Sequence, residues 1–91
     1  MPRFLVEPKD VTVLSGQDVR FDCEVEGNQN MRLIWKKEQR EILPNTPRIS
    51  FNHRTLVINN VTDGDEGLYT CVAQNVAGEV TAKASLTVHS T

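Results

Sequence analysis

The stretch Asp65-Glu66-Gly67-Leu68-Tyr69-Thr70-Cys71 decides the fold of this chain. It ends on the second of two cysteines, and the single tryptophan, Trp35, lies between this residue and the first cysteine, Cys23. A tyrosine two residues before a cysteine, with a tryptophan between the two cysteines, is typical of facing strands in a β-sandwich. The chain has 91 residues, which suits one such sandwich and leaves no room for a second domain.

Alternation of apolar and polar residues predicts the strands around this stretch. Between Val19 and Val25 every second residue is apolar and the others are charged, which is typical of a strand with one solvated face. The same period turns Trp35 inward on the next strand and places Ile34 on the opposite face. Further strands are predicted at Phe4–Val6, Val11–Leu14, Ile49–Phe51, Thr55–Ile58, Leu68–Gln74 and Val80–Val88.

Turn residues separate these strands. Glu7-Pro8 interrupts the first strand because proline cannot donate a ladder hydrogen bond, and such a break suits an edge strand that changes sheets. Residues 38–47 contain charges, two prolines and Asn45, so this loop leaves little room for two additional full strands. No helix is evident. The pattern therefore predicts an all-β sandwich of two antiparallel sheets with Greek-key connections.

Smaller motifs identify the chain as similar to a known family. Leu56-x-Ile58-x-Asn60-Val61 precedes Asp65-x-Gly67-x-Tyr69-x-Cys71, and Ala73-x-Asn75-x-x-Gly78 follows. With these motifs the chain resembles an I-set immunoglobulin domain over nearly its whole length, and we expect residues 3–89 to form that single domain. The phrases Glu7-Pro8-Lys9-Asp10, Trp35-Lys36-Lys37-Glu38 and Ala84-Ser85-Leu86-Thr87-Val88-His89 resemble ectodomain repeats of roundabout-type axon-guidance receptors and of peroxidasin-like adhesion and matrix proteins.

The resemblance implies roles for six residues. Cys23 and Cys71 are expected to form a disulfide against which Trp35 packs, and Tyr69 is expected to bond backbone a few residues upstream as a tyrosine corner. Arg48 and Asp65 are expected to form a partly buried salt bridge. One departure from the family pattern is visible in the loop after the strand that contains Cys23, where Gly27-Asn28-Gln29-Asn30 replaces a commonly proline-rich segment.

Domains of this family occur outside cells in receptors and matrix proteins, and inside cells in sarcomeric proteins. Two correctly placed cysteines favour an oxidising compartment, where closure of a loop of about 48 residues contributes about 4 kcal/mol. Asn60-Val61-Thr62 adds an N-glycosylation acceptor pattern on an expected turn. These features favour an extracellular or cell-surface location. The alternative is an intracellular sarcomeric or cytoskeletal scaffold, in which the cysteines are reduced core residues.

Charge and hydropathy limit the classes of partner that this chain is expected to bind. A net charge of -2 argues against a nucleic-acid interface, which needs a dense basic face. No apolar run approaches the about 20 residues that span a bilayer, and the segment after Met1 lacks the apolar stretch of a signal peptide. We therefore expect one module of a longer protein. Its expected partners are other proteins and neighbouring immunoglobulin-like domains, with no direct membrane insertion, no cofactor and no small-molecule substrate.

Catalytic and metal-binding patterns are weak. His53 and His89 are the only histidines, and neither has a nucleophile near it in the expected topology. Asp63-Gly64-Asp65-Glu66 contains three carboxylates, but calcium needs six or more oxygens and the resemblance assigns Asp65 to Arg48. The acidic row Asp22, Glu24 and Glu26 reads as a solvated strand face.

The outer face of the sheet that contains Cys71 is the candidate partner face. Alternation turns Ile34 and Val72 outward on adjacent strands, where they would form a small aliphatic centre, with Lys36, Gln74 and Lys83 around it. Single exposed aliphatic residues are also ordinary on protein surfaces, and a neighbouring domain could cover these two. The sequence therefore predicts a non-enzymatic binding and spacer module in cell adhesion, recognition or axon guidance.

Overall fold

The computed structural model describes residues 3–26 and 31–90. The expected departure at Gly27-Asn28-Gln29-Asn30 lies outside the described residues. Within these described residues ten strands follow one another: β1 Arg3–Val6, β2 Val11–Leu14, β3 Val19–Asp22, β4 Glu24–Glu26, β5 Arg32–Lys37, β6 Arg40–Glu41, β7 Ile49–Phe51, β8 Thr55–Ile58, β9 Gly67–Asn75 and β10 Gly78–His89. A 3₁₀ turn at Asp63–Asp65 precedes β9.

The strands form two layers, as the alternation predicts. One layer is a five-stranded sheet in the order β2-β10-β9-β5-β6. The other contains β3-β8-β7, and β4, which continues from β3, pairs with β1. All pairs are antiparallel except β2 with β10, which run in the same direction. The predicted all-β sandwich is confirmed.

The expected change of sheet at Glu7-Pro8 is confirmed. β1 pairs with β4 in one layer, and β2 pairs with β10 in the other, so the first strand is divided between the two sheets. Pro8 itself is buried between these two halves. Because proline has no backbone N–H, its position between two ladders leaves no donor unsatisfied.

The core lies between the layers and follows the inward positions of each strand. Val19, Phe21 and Cys23 are buried, and Trp35 opposite them is 1% exposed. On β10 every second residue from Ala82 onward faces inward: Ala82, Ala84, Leu86 and Val88 are buried. Each polar residue between them on β10 is exposed or partly buried. The period of two therefore determines which side chains are buried away from water.

One strand was missed. Residues 38–47 were expected to form a loop, but Arg40–Glu41 forms a two-residue strand, β6, which pairs with the end of β5. Ile42 is buried after it, and its N–H donates to the carbonyl of Trp35 at 2.8 Å. Two residues are too few to show an alternating pattern, so the sequence carried no signal for this strand.

Candidate functional site

The disulfide and tryptophan fix the centre of the sandwich. Cys23 and Cys71 are bonded, with their Cα atoms 6.6 Å apart, and both residues are fully buried. Trp35 is the register partner of Cys71 on the neighbouring strand. Its indole N–H donates to the carbonyl of Asn52 at 3.1 Å. This bond satisfies the one polar atom of the buried Trp35 side chain. The expected pairing of the two cysteines is confirmed.

Tyr69 links β9 to the turn that precedes it. Its hydroxyl donates to the backbone carbonyl of Asp65 at 2.6 Å, in the position expected of a tyrosine corner. The ring is 1% exposed and stacks on Phe21 with the centroids 5.4 Å apart. Burial, with a further contribution from the charge of Asp65, raises the pKa of the Tyr69 hydroxyl well above its ordinary value. The neutral, hydrogen-bonded hydroxyl is therefore part of the folded state.

The structure brings Arg48 and Asp65 together. Arg48 Nη1 donates to Asp65 Oδ2 at 2.8 Å and Arg48 Nη2 donates to Asp65 Oδ1 at 3.1 Å. The Arg48 side chain is 38% exposed, whereas that of Asp65 is 11% exposed. Burial raises the pKa of Asp65, but hydrogen bonds from Arg48 and from the Thr62 N–H outweigh it, so the net pKa is lowered. Asp65 is therefore a charged, satisfied group at the edge of the core.

A second contact at the same end of the sandwich was not anticipated. Glu38 adopts a left-handed backbone with φ 55°, and its N–H donates to the carbonyl of Leu68 at 2.8 Å. Its carboxylate accepts from the Leu68 N–H at 2.7 Å. Gly67 has φ 155°, and a Cβ there would lie 2.5 Å from Glu38 Oε2. The glycine in the motif offered a signal for a close approach, but nothing in the sequence indicated Glu38 as its neighbour.

The acidic residues that suggested calcium are engaged with protein groups. Asp63 accepts from the Ser90 hydroxyl at 2.9 Å, and Glu66 accepts from the Val88 N–H at 2.8 Å. Among residues 3–26 and 31–90, no three acidic, histidine or cysteine side chains are grouped closely enough to hold a metal ion. His53 is exposed in the β7–β8 turn and His89 is exposed at the end of β10.

The acidic row Asp22, Glu24 and Glu26 is matched by arginines. Three ion pairs lie along the outer surface of this layer: Arg20 with Asp22 at 2.9 Å, Arg54 with Glu24 at 3.7 Å and Arg3 with Glu26 at 2.8 Å. All these side chains are at least 38% exposed. Exposed pairs of this kind contribute little stability, and here they neutralise the row that alternation had placed on one face.

Asn60 lies on the surface in the turn after β8. Its backbone is left-handed with φ 51°, a conformation that asparagine tolerates better than most residues. Its N–H donates to Asp18 Oδ1 at 3.0 Å, and its carbonyl accepts from Arg48 at 3.0 Å. The residue is exposed, as is Thr62 two positions later, whereas Val61 between them is 1% exposed. The acceptor pattern is thus held on an exposed, ordered turn.

The candidate partner face is formed on one side of the five-stranded sheet, but its centre differs from the expectation. Ile34 and Val72 are register partners on β5 and β9, and Thr81 follows on β10. Val72, expected to be exposed, is 4% exposed. β9 lies between β5 and β10, so Val72 is flanked by its register partners Ile34 and Thr81, and alternation alone does not reveal its burial. Ile34, Lys36 and Gln74 are partly buried and Lys83 is exposed.

Beside this centre the same face carries a shallow cleft of about 240 Å³. Its lining includes Lys36, Lys83, Thr70 and Val72. Thr70 is 5% exposed and faces the cleft between the two lysines. The sequence carried no signal for this role of Thr70, because its burial depends on the strands on either side. We call this feature the outer cleft.

Comparison with known proteins identifies relatives of this chain. A family model described as the immunoglobulin I-set domain matches residues 2–88. Roundabout homolog 3 of Homo sapiens is 43% identical over 97% of the chain, and peroxidasin homolog of Homo sapiens is 42% identical over 87%. The chain covers only 6% of the length of each of these two relatives. No helix among the described residues is long and apolar enough to cross a bilayer.

A solved structure of an I-band fragment of titin, I67-I69, superposes with a TM-score of 0.89. It is 36% identical to this chain, and the match covers 98% of this chain and 32% of the titin fragment. Relatives of the same sandwich therefore include a protein named as a roundabout homologue and an I-band fragment of titin.

Proposed function

Because the chain belongs to the immunoglobulin I-set family, we propose that it is a non-enzymatic binding and spacer module of a cell-surface receptor or matrix protein. The observation that carries this proposal is the 43% identity to roundabout homolog 3 over 97% of the chain. A role in adhesion, recognition or axon guidance follows from that similarity. Since the chain covers 6% of that relative, other domains of a parent protein would share the work.

The disulfide supports an extracellular or cell-surface location. Bonded cysteines persist in oxidising compartments and are rare in the cytosol. The exposed acceptor turn at Asn60 is compatible with the same compartment, because N-glycans are added to chains that enter the secretory pathway.

The shape supports a place in a linear array. The described part of the chain extends 45 Å along its longest axis and 24 Å and 19 Å along the others. β1 begins beside the end of β4 at one pole, and β10 ends beside the β2–β3 turn at the other, where the Ser15 N–H donates to the His89 carbonyl. A chain that enters and leaves at opposite poles suits serial connection of similar domains.

A mechanical role inside cells is the second candidate, and the titin similarity favours it. β2 and β10 are parallel, with Val11 opposite Leu86 and Leu14 opposite His89. Tension between the two ends of the chain would pull these strands in opposite directions, so their hydrogen bonds would be loaded together. This geometry resists extension in either compartment, and the redox state of the cysteines separates the two candidates.

The test is the state of the domain in its parent protein. The parent gene, tagged within this domain, is expressed in cells, and intact cells are treated with a membrane-impermeant label. We expect surface or secreted labelling and no thiol that reacts before reduction. A cytoplasmic domain with two reactive thiols at Cys23 and Cys71 would replace this proposal with the mechanical one.

For recognition, Ile34 is the residue to change on the partner face. Ile34→Asp places a charge at the centre of that face, and we expect weaker binding or self-association of the parent ectodomain with a small change in thermal stability. Val57→Asp is the matched control, because Val57 is also partly buried but faces outward on the opposite layer. Val72→Asp is not a surface test, because Val72 is buried. If Ile34→Asp and Val57→Asp both bind as well as the parent protein does, the partner face does not contact the partner, and the domain acts as a spacer.

A further inference from the structure

The outer cleft has a floor built from three adjacent strands. Lys36 on β5, Thr70 on β9 and Lys83 on β10 are register partners, so their side chains project from the same face in one row. Adjacent strands lie about 4.8 Å apart, which places the two lysine Cα atoms about 10 Å from each other. The row therefore presents ammonium, hydroxyl and ammonium groups, in that order.

The three groups of this row are available for an external partner. Lys36 and Lys83 form no ion pair within 4.0 Å in the described part of the chain, although Glu41 is the register partner of Lys36. The Thr70 hydroxyl makes no hydrogen bond to a described residue. No fully enclosed polar side-chain atom lacks a partner in residues 3–26 and 31–90, so this hydroxyl must open into the cleft.

The acidic residues that line the cleft are held elsewhere. Glu38 accepts from the Leu68 N–H at 2.7 Å, and Glu79 accepts from the Gln74 side-chain amide at 3.0 Å. Both carboxylates are thus held by hydrogen-bond donors at the margin of the cleft, and neither forms an ion pair with Lys36 or Lys83. The middle of the cleft keeps two cations and one hydroxyl above the buried Val72.

We propose that the outer cleft binds an aspartate or glutamate side chain of a partner protein, with the carboxylate between Lys36 and Lys83 and within reach of the Thr70 hydroxyl. This inference rests on the proposed function, because it names the chemistry of a partner at the same face. A carboxylate complements the two ammonium groups, and its neighbouring aliphatic residues would contact Ile34 and the wall at Leu68.

A protein partner fits this cleft better than a sulfated polysaccharide. A polyanion needs a long basic surface, because its affinity grows with the number of neutralised charges. Here only two lysines face the cleft, and Glu38 and Glu79 stand at its margin, where they repel an extended polyanion. A single carboxylate on an apolar strand avoids that repulsion.

The test uses the isotope-labelled chain and a synthetic probe, an acetylated and amidated peptide of alternating valine and threonine with one central glutamate. Amide shifts should change around Lys36, Thr70 and Lys83, and added salt should weaken the binding. Lys36→Gln and Lys83→Gln should each weaken it by about two- to fivefold, the range of exposed charge pairs. Thr70→Val, which keeps the shape and removes the hydroxyl, should also weaken it. Lys9→Gln, a control outside the cleft, should not.

Two results would overturn the proposal. One is a matched peptide with glutamine in place of glutamate that binds equally well. The other is that a heparin-derived oligosaccharide binds and that Lys9→Gln weakens this binding as much as Lys36→Gln does. Such a result would mean that the chain attracts polyanions diffusely and not at the outer cleft. Failure here is distinguishable from failure of the proposed function, because the titration does not depend on the compartment in which the parent protein resides.

Discussion

Asp65 holds Arg48 through both carboxylate oxygens, at 2.8 and 3.1 Å, while its backbone carbonyl accepts the hydroxyl of Tyr69 at 2.6 Å. The same carboxylate accepts from the Thr62 N–H at 2.8 Å. One residue therefore connects the start of β7, the turn after β8 and the buried strand β9. Arg48 also donates to the Asn59 and Asn60 carbonyls, which supports its left-handed backbone at φ 65°.

Arg48→Ala should destabilise the domain in a pH-dependent manner. The folded-state pKa of Asp65 is lowered, so the stabilisation is present above its unfolded pKa of about 3.9 and is lost as pH falls through the folded pKa. We expect the variant to be clearly less stable than the parent at neutral pH. The difference should shrink as the pH falls below about 4, because the unfolded chain then binds a proton at Asp65 before the folded protein does. Urea unfolding across this range measures it.

The matched control is Arg20→Ala, which removes an ion pair whose side chains are 68% and 49% exposed and should change stability little. Asp65→Ala should cost about 1–3 kcal/mol, because it removes a charged acceptor near the core. The double variant at Arg48 and Asp65 should lose less than the sum of the single losses. Additive losses would mean that the two side chains do not stabilise each other.

Tyr69→Phe should cost about 1 kcal/mol at neutral pH, because the Asp65 carbonyl loses its buried donor. Burial raises the pKa of the Tyr69 hydroxyl, so its contribution is present below the unfolded pKa of about 10 and is lost as pH rises through the folded pKa. The parent should therefore lose stability above about pH 10 more steeply than Tyr69→Phe. Tyr69 is the only tyrosine, so tyrosinate absorbance reports its titration directly. An ordinary tyrosine titration in the folded protein would contradict the burial argument.

The sequence predicted the layers of the fold because the period of two is a property of each strand. Val19, Phe21 and Cys23 could be assigned to the core without knowledge of their partners, and all three are buried. Val72 could not be assigned correctly in this way, since its exposure depends on the side chains of two neighbouring strands. β6 could not either, because Arg40–Glu41 is too short to carry a pattern.

The interactions around Asp65 were expected from the family resemblance, whereas the contact of Glu38 with Leu68 was not. A motif carries residues that recur at fixed spacing, so it indicated Tyr69 and Asp65 together. Glu38 and Leu68 are brought together only by the register of β5 and β9, in which Lys37 is opposite Tyr69. Alternation assigned Lys36 and Lys83 to the face that carries the outer cleft, but it did not reveal the cleft, because that feature joins three strands that are distant along the chain.

Gly67→Ala should destabilise the domain more than Gly16→Ala. Both glycines have positive φ, 155° and 92°, so both substitutions strain the backbone by about 1–3 kcal/mol. A Cβ at Gly16 meets nothing within 4 Å, whereas one at Gly67 would lie 2.5 Å from Glu38 Oε2. The alanine must displace the Glu38 carboxylate from the Leu68 N–H. Urea unfolding of both variants measures the difference.

The Glu38→Ala background isolates this contact. Without the Glu38 carboxylate, Gly67→Ala should cost less than it does in the parent, and the remaining loss should approach that of Gly16→Ala. An undiminished loss in the Glu38→Ala background would show that backbone strain alone disfavours alanine at Gly67.

Cys71→Ala should cost about 2–5 kcal/mol, as loss of a native disulfide does in small secreted domains. The bond joins residues 48 positions apart and anchors Trp35 at the centre of the core. Chemical unfolding measures the loss, and thiol titration of the unfolded, unreduced parent checks its cause. The titration should detect no free thiol, and two reactive thiols in protein purified from its native compartment would contradict the disulfide.

Asn60 should carry an N-glycan when the chain passes through the secretory pathway. Asn60-Val61-Thr62 is the one acceptor pattern in the sequence, and its asparagine lies exposed on an ordered turn. We expect mass spectrometry of the secreted chain to find one glycan. Thr62→Ala should abolish it, Thr62→Ser should retain it because serine completes the same pattern, and Asn59→Gln should leave it in place. A chain secreted in folded form without any glycan, or a glycan that persists in Thr62→Ala, would exclude Asn60 as a modification site.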